Sequence, residues 1–306
     1  MQLHFLGTGA GVPAKERNVS SLAIKQINKK GGIWLFDCGE ATQHQILHTS
    51  IKPRRIEKIF ITHLHGDHIF GLPGLIGSRS FQGGTEPLSI YGPAGTKEYI
   101  ETSLRISGTH LKYELFIHEI TDQSEFEDAE YQIKVFKLDH ALDSFGYRLT
   151  EKDKPGTLMV DKLRETGLPP GPLYNELKNG KSVEWNGQTL KGEDYLEEPK
   201  KGMVIAVAGD TRKTPAAIKL ARGADVLIHE ATFGAGHEEM AYQYYHSTAT
   251  QAAETAREAG VKELWLTHIS ARYTGDTAAQ LLSEARTIFS NTNLAYDLLE
   301  AEIEKK

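Results

Sequence analysis

The sequence predicts a mixed α/β fold, on three observations. In the first half, short apolar runs rich in β-branched residues pair as hairpins across turn residues. In the second half, strand-like apolar runs alternate with amphipathic helical stretches. Four strand-like runs end beside a residue able to bind a metal: Ile61 before His63, Leu138 before His140, Ala208 before Asp210 and Leu266 before His268. Two sheets packed face to face, with helices outside, would satisfy both halves.

Taken in order, Gln2 to Leu6 alternates as an edge strand does, and Gly7 to Gly11 makes a tight turn. The glycine spacing is wrong for a dinucleotide fingerprint, and Pro13 arrives where its helix would start. Pro13 to Asn18 is a basic loop. Ser21 to Lys25 and Ile33 to Phe36 read as a hairpin turning over Asn28 to Gly32, and Ala41 to Ser50 as a short helix. Lys58 to Ile61 is a buried strand. Leu75, Ile76 and Arg79 recur at helical spacing from Leu72 to Gln82, and Lys97 to Ile106 is amphipathic. Leu88 to Tyr91, Phe116 to Ile120, Tyr131 to Leu138 and Phe145 to Leu149 are strands.

From about Glu151 to Lys201 the texture changes. Five of the eleven prolines fall here and apolar runs are few, so the segment reads as an excursion that cannot build a core of its own. Met203 to Ala208 then resumes a buried strand, Ala216 to Arg222 is helical, and Val226 to Ile228 is a strand ending in His229-Glu230. Thr248-Ala249-Thr250-Gln251 is a capping-box signature for an alanine-rich helix that stops at Gly260. Glu263 to Leu266 is a strand. A last helix carries Leu281, Leu282, Ala285, Ile288 and Phe289 on one face.

Composition bounds the function. A chain of 306 residues, 39% hydrophobic and 25% charged, fits one large globular domain or two ordinary ones. The single cysteine, Cys38, excludes an internal disulfide framework and fits a reducing cytoplasm. No apolar run nears bilayer length and the N-terminus lacks a basic-then-apolar leader, so the expectation is a cytoplasmic protein with no membrane partner. The net charge of −6 counts against a nucleic-acid partner on its face. Binding needs only a local patch, however, and bound metal ions add positive charge.

Thr62-His63-Leu64-His65-Gly66-Asp67-His68 follows the strand ending at Ile61, so it lies in a strand-end loop, where scaffold-held sites are commonly built. His63 and His65, two apart, suit one metal approached from an extended loop. Gly66 lets the chain turn and aim Asp67 and His68 at a second point. Imidazole nitrogen and carboxylate oxygen are ligands that zinc accepts. Singly, His140 or Asp210 would be an ordinary surface histidine or turn residue. Four strand ends together form a candidate site, because layered folds gather ligands there.

The pattern H-x-H-x-D-H resembles the metallo-β-lactamase superfamily. The longer run THLHGDHIFGLPGLIGSRSFQGG, from Thr62 to Gly84, is similar to the ribonuclease Z family of tRNA 3′-endonucleases. The likeness extends over nearly the whole chain. It implies an αββα sandwich, a single domain over 1–306 with an inserted tRNA-binding arm at 151–201. It implies a zinc-dependent endoribonuclease that removes the 3′ trailer of precursor tRNA and leaves a 3′-hydroxyl on the tRNA. Two Zn2+ per subunit are implied, with other divalent metals also suited. His63, His65 and His140 would bind one, Asp67, His68 and His268 the second, and Asp210 both. A metal-activated hydroxide would attack phosphorus, with Asp67 orienting the water or accepting its proton. Asp37 resembles the family's structural aspartate, which holds the metal loop by hydrogen bonds. Tyr245-His246-Ser247-Thr248 and His229-Glu230-Ala231-Thr232 resemble two further family motifs. They imply His246 as general acid and Glu230 as the carboxylate that orients it.

The same resemblance implies substrate contacts. Lys15, Arg17 and Asn18 match a family loop near the tRNA 3′ end, and Arg272 a family arginine near the scissile phosphate. The excursion resembles the family's flexible arm, which grips the tRNA elbow, and Gly171 and Pro172 match its Gly-Pro signature. Its lysines, such as Lys152, Lys154, Lys162, Lys178 and Lys181, are interleaved with a similar number of carboxylates, so a grip would be local and shape-led. The implied partners are precursor tRNA and a second copy, since the family acts as a homodimer; nothing in the residues themselves shows dimerisation. Other readings stay beside this one. A hydrolase of a small ester or cyclic phosphodiester would share the metal set but need neither the arm nor the Pro13 to Asn18 loop. A diiron relative usually carries a glutamate where this chain has His65. A metal-dead RNA binder would lack ligands that are all present here.

Overall fold

The computed structural model describes residues 1–27 and 30–305. Asn28 and Lys29, in the expected hairpin turn, lie outside the described residues. The first half supplies β1 (Gln2–Gly7), β2 (Ser21–Lys25), β3 (Ile33–Phe36), β4 (Ile56–Phe60), β5 (Leu88–Gly92) and β6 (Leu115–Glu119). There follow β7 (Glu125–Glu127), β8 (Tyr131–Leu138), β9 (Ser144–Glu151), β10 (Ser182–Trp185) and β11 (Gln188–Lys191). Then come β12 (Val204–Val207), β13 (Val226–Glu230), β14 (Glu263–Thr267), β15 (Thr292–Leu294) and β16 (Glu300–Glu302). Among the described residues these form two seven-stranded sheets, β16-β1-β2-β3-β4-β5-β6 and β15-β14-β13-β12-β9-β8-β7, and a ribbon β10-β11.

Each sheet is antiparallel on one side and parallel on the other, from β3 to β6 and from β12 to β15. Parallel neighbours need crossover connections. In the first half these carry α1 (Thr42–Leu47), α2 (Gly66–Ile69), α3 (Leu72–Phe81) and α4 (Thr96–Ser107). The excursion carries α5 (Val160–Glu165) and α6 (Pro172–Lys178), and the second half α7 (Pro215–Ala221), α8 (Glu238–Gln243), α9 (Ala249–Ala259) and α10 (Gly275–Ile288).

Trp34, Phe36, Phe60, Tyr131 and Tyr147 fill the space between the sheets. On the outer face of the first sheet, Leu35, Ile59 and Ile90 meet Leu72, Leu75 and Ile76 of α3. On the outer face of the second, Leu227, Leu264 and Leu266 meet Ala252, Ala253 and Ala256 of α9. The inner strands are thus covered on both faces, which is why they read as continuous apolar runs. The result is the αββα sandwich. Among the described residues, no helix is long and apolar enough to cross a membrane.

Two expectations fail. β1 is not an edge strand, because β16 pairs with it from the C-terminus, Leu3 opposite Ala301. Glu-Ala-Glu carries no strand signal, so that pairing is visible only in three dimensions. The excursion, in turn, does have a core: Leu163, Leu168, Leu177, Val183 and Leu190 are buried together, with Leu158, Tyr174 and Trp185 packed around them. These residues are scattered singly along the chain, and α5, α6 and the β10-β11 ribbon bring them together. Backbone bridges between Lys154 and Lys200 and between Leu158 and Leu196 close the neck of this arm.

Candidate active site

The carboxyl ends of β3, β4, β8, β12, β13 and β14 converge. They deliver Asp37, the His63 to His68 loop, His140, Asp210, Glu230 and His268 to one place. His63 Nε2 lies 3.0 Å from His65 Nδ1, and His140 Nε2 lies 3.2 Å from that same atom. Asp210 Oδ2 is 3.7 Å from His63 Nε2, 3.5 Å from His68 Nε2 and 3.2 Å from His268 Nε2. Asp67 Oδ2 is 3.5 Å from His68 Nε2 and 3.4 Å from His268 Nε2. Atoms bound to one zinc at ~2.0–2.1 Å in a tetrahedron stand about 3.4 Å apart. The observed separations are of that size, and the residues fit metal coordination.

The proton positions agree. An imidazole offers a lone pair only on its unprotonated nitrogen. His68 Nδ1 donates to Asp37 Oδ2 at 2.7 Å, and His140 Nδ1 to the Tyr245 carbonyl at 2.9 Å. The hydroxyls of Thr62 and Thr232 give their protons to Asp37 and Glu230, at 2.9 Å and 2.7 Å. They accept in turn from His63 Nδ1 at 3.0 Å and His268 Nδ1 at 2.9 Å. Four rings thus have Nδ1 protonated and Nε2 turned inward, the arrangement that orients metal-binding histidines. His65 offers Nδ1 instead.

Asp37 holds this loop with both oxygens, since its Oδ1 also accepts the Thr62 N–H at 2.8 Å. Asp37, Tyr245 and His268 have left-handed backbone, at φ 56°, 62° and 54°. Residues other than glycine seldom adopt it, and three in one site mark stored backbone strain. Burial raises the Asp210 carboxyl, yet His268 and His68 outweigh it and hold the group well below the usual carboxylate range. Burial, with His68 beside it, holds the His63 ring far below its ordinary value. An anionic carboxylate faced by imidazole nitrogens is a donor set for cations.

Glu230 is 1% exposed. Its Oε1 accepts from His246 Nδ1 at 2.9 Å, Ser247 N–H at 3.1 Å and Thr211 N–H at 3.2 Å. Its Oε2 accepts from the Thr232 N–H at 3.0 Å and the Thr232 hydroxyl at 2.7 Å. A carboxylate so satisfied stays ionised although buried. Burial would lower the His246 ring, but the charge of Glu230 overrides it and lifts the pKa to about 9. His246 stands just ahead of α9, whose Thr248 capping box is formed as the sequence predicts. The helix's positive end opposes an imidazolium there, and Glu230 supplies the compensation.

The expected RNA contacts fare unevenly. Lys15 and Arg272 are exposed, the latter over the Phe233 ring at 5.3 Å. Arg17 is corrected: it is 9% exposed, and its guanidinium donates to Thr8 Oγ1 at 2.6 Å and the Ala295 carbonyl at 2.8 Å. It braces its own loop and does not face solvent. Asn18 is similarly engaged, its side chain donating to the Glu40 carbonyl at 2.8 Å. Gly171 and Pro172 are not among the clustered residues of this cleft; they stand at the start of α6 in the arm. Sequence reasoning missed Thr62 and Thr232, although both stand inside the quoted motifs. It also missed Gly11, whose N–H donates to Asp67 Oδ2 at 2.7 Å.

Two facing sheets whose strand ends share a metal-ready cleft are the architecture of the metallo-β-lactamase superfamily, and the chain belongs to it. Residues 195–269 match the family model described as Beta-lactamase superfamily domain, and residues 1–155 the one described as Anti-Pycsar protein Apyc1. Ribonuclease Z of Bacillus cereus (strain AH187) is 58% identical over 307 aligned residues, with 100% of both chains covered. The short form of human tRNase Z superposes with a TM-score of 0.72 at 31% identity, again covering 100% of both chains. The chain belongs to the ribonuclease Z family. A long form RNase Z from yeast shares the fold, with a TM-score of 0.67 at 15% identity over 98% of this chain and 41% of that one. Neither family model reaches residues 156–194, most of the arm, which the full-length relatives span.

Proposed function

We propose that the chain is a metal-dependent endoribonuclease that cuts precursor tRNA at its 3′ end, removes the trailer and leaves a 3′-hydroxyl on the tRNA. The observation that carries this is the likeness to ribonuclease Z over the whole length, arm included. His63, His65 and His140 would hold one divalent ion, Asp67, His68 and His268 a second, with Asp210 shared. Zinc suits this set of nitrogen and oxygen donors. Bound metal ions would supply a nucleophilic hydroxide near neutral pH and positive charge at the phosphate. Asp67 orients the attacking water or takes its proton. His246, kept protonated by Glu230, gives a proton to the leaving 3′ oxygen. Lys15 and Arg272 serve RNA phosphates, while Arg17 and Asn18 shape the loop that presents Lys15.

The arm, with Gly171 and Pro172, grips the tRNA away from the cut. The working unit is a homodimer. In support, Leu47 of α1 and Phe81 of α3 are 68% and 82% exposed, apolar side chains that a second copy would cover. The buried free thiol of Cys38 fits a cytoplasmic home.

Incubation with a precursor tRNA, followed by mapping of the cut, tests the proposal. A single cut at the 3′ end of the tRNA body with a 3′-hydroxyl is the expected product. Turnover of small esters alone would favour the small-ester hydrolase instead. A second experiment isolates the arm. Joining Lys154 to Lys200 through a short Gly-Ser bridge removes the arm at its neck. Hydrolysis of a small phosphodiester should persist, while kcat/KM for precursor tRNA falls on the order of 10²-fold, because remote contacts supply binding and orientation. Undiminished tRNA cleavage would refute the arm's role.

A further inference from the structure

Arg212, just after β12, lies over two tyrosine rings, 3.8 Å from the Tyr242 centroid and 3.7 Å from that of Tyr245. Two rings cannot share one side of a single carbon at van der Waals range, so they flank the guanidinium. Its Nε donates to the Tyr242 carbonyl at 2.6 Å. Its backbone N–H donates to the Asp139 carbonyl at 2.9 Å, and its Nη1 stands 3.8 Å from Asp139 Oδ2. The stack is therefore fixed to the strand ends that carry His140 and Asp210. Tyr245, at its inner end, holds His140 through the carbonyl already described. Tyr242, at its outer end, is 63% exposed.

An exposed tyrosine is ordinary by itself. This one has an inner face locked by a cation and a main-chain bond, so its outer face is held ready for a planar ligand at little entropic cost. Its loop also carries the general acid, since the His246 N–H folds back to the carbonyl of Ala241 at 2.8 Å. Unpaired nucleobases are bound by stacking on such faces. On the proposed reaction, the oxygen that His246 protonates belongs to the nucleotide on the 5′ side of the cut, which makes that nucleotide's base the candidate for this face.

We infer that Tyr242, backed by Arg212, is the stacking platform for the base immediately 5′ of the scissile phosphate. The inference rests on the RNA-cleaving function proposed above. A two-by-two comparison tests it: wild type and Tyr242→Ala, each with an intact precursor tRNA and with one carrying an abasic ribose 5′ of the cut. Either change alone should lower kcat/KM by about 5- to 150-fold, the usual range for one base on one aromatic face. Both together should cost little more than one, since they remove the same contact. Tyr242→Phe, which keeps the ring, should behave as wild type on the intact substrate. Losses that multiply would mean that Tyr242 acts structurally, and the platform would be abandoned. Coupling to an abasic site 3′ of the cut instead would overturn the assignment. Failure of the wild type to cut the intact precursor would be failure of the proposed function itself, a separate outcome.

Discussion

His246→Ala is expected to lower kcat for RNA cleavage by about 10²–10⁴-fold, the usual loss when a general acid is removed from a demanding reaction. The same variant should keep much of its activity on bis(p-nitrophenyl) phosphate. RNA expels an alkoxide that needs a proton, whereas the activated ester expels a stable phenolate that does not. His246 is the group whose charge the fold sustains, through the 2.9 Å bond to Glu230. Only its imidazolium form can donate, so the wild-type rate on RNA should fall as pH rises through its pKa. Glu230 lifts that value to about 9, and the positive charge of bound metal would bring the falling limb to lower pH. In His246→Ala the limb should disappear. Equal losses on both substrates, with metal content unchanged, would remove His246 from the role of acid.

Asp210→Ala should go further and take metal content and both activities to background together. Asp210 Oδ2 lies within 3.7 Å of the inward nitrogens of His63, His68 and His268. Its loss deprives both proposed ions of a ligand and leaves a cluster of buried rings without their anion. Breaking such a buried charge arrangement on one side is costly, so far-UV circular dichroism belongs in the experiment beside elemental analysis. A folded variant without metal is the expected result. A fully active wild type with one metal or none per chain would end the bridging assignment.

The cluster of candidate ligands was legible because it is local. Each ligand follows an apolar run, and His63 to His68 carries four of the seven within a single loop. The Thr248 cap was legible for the same reason, since its partner Gln251 is three residues away. What escaped depends on distant partners. Arg17 turns inward toward Thr8 and Ala295, the second of which is 278 residues away. β16 is a strand only because β1 offers it an open edge. Arg212 finds its two tyrosines on a loop that folding brings back to it.

The arm's small core belongs to none of the three clusters that hold the sandwich. A core of that size is marginal by itself, so the arm can open and close as a separate cooperative unit. On the proposed reading, the affinity for tRNA is then the intrinsic affinity scaled by the fraction of time the arm is formed. Warming would erode selectivity for tRNA before it touched the metal cleft. Natural selection could likewise adjust which RNAs are chosen without disturbing how the phosphodiester is cut.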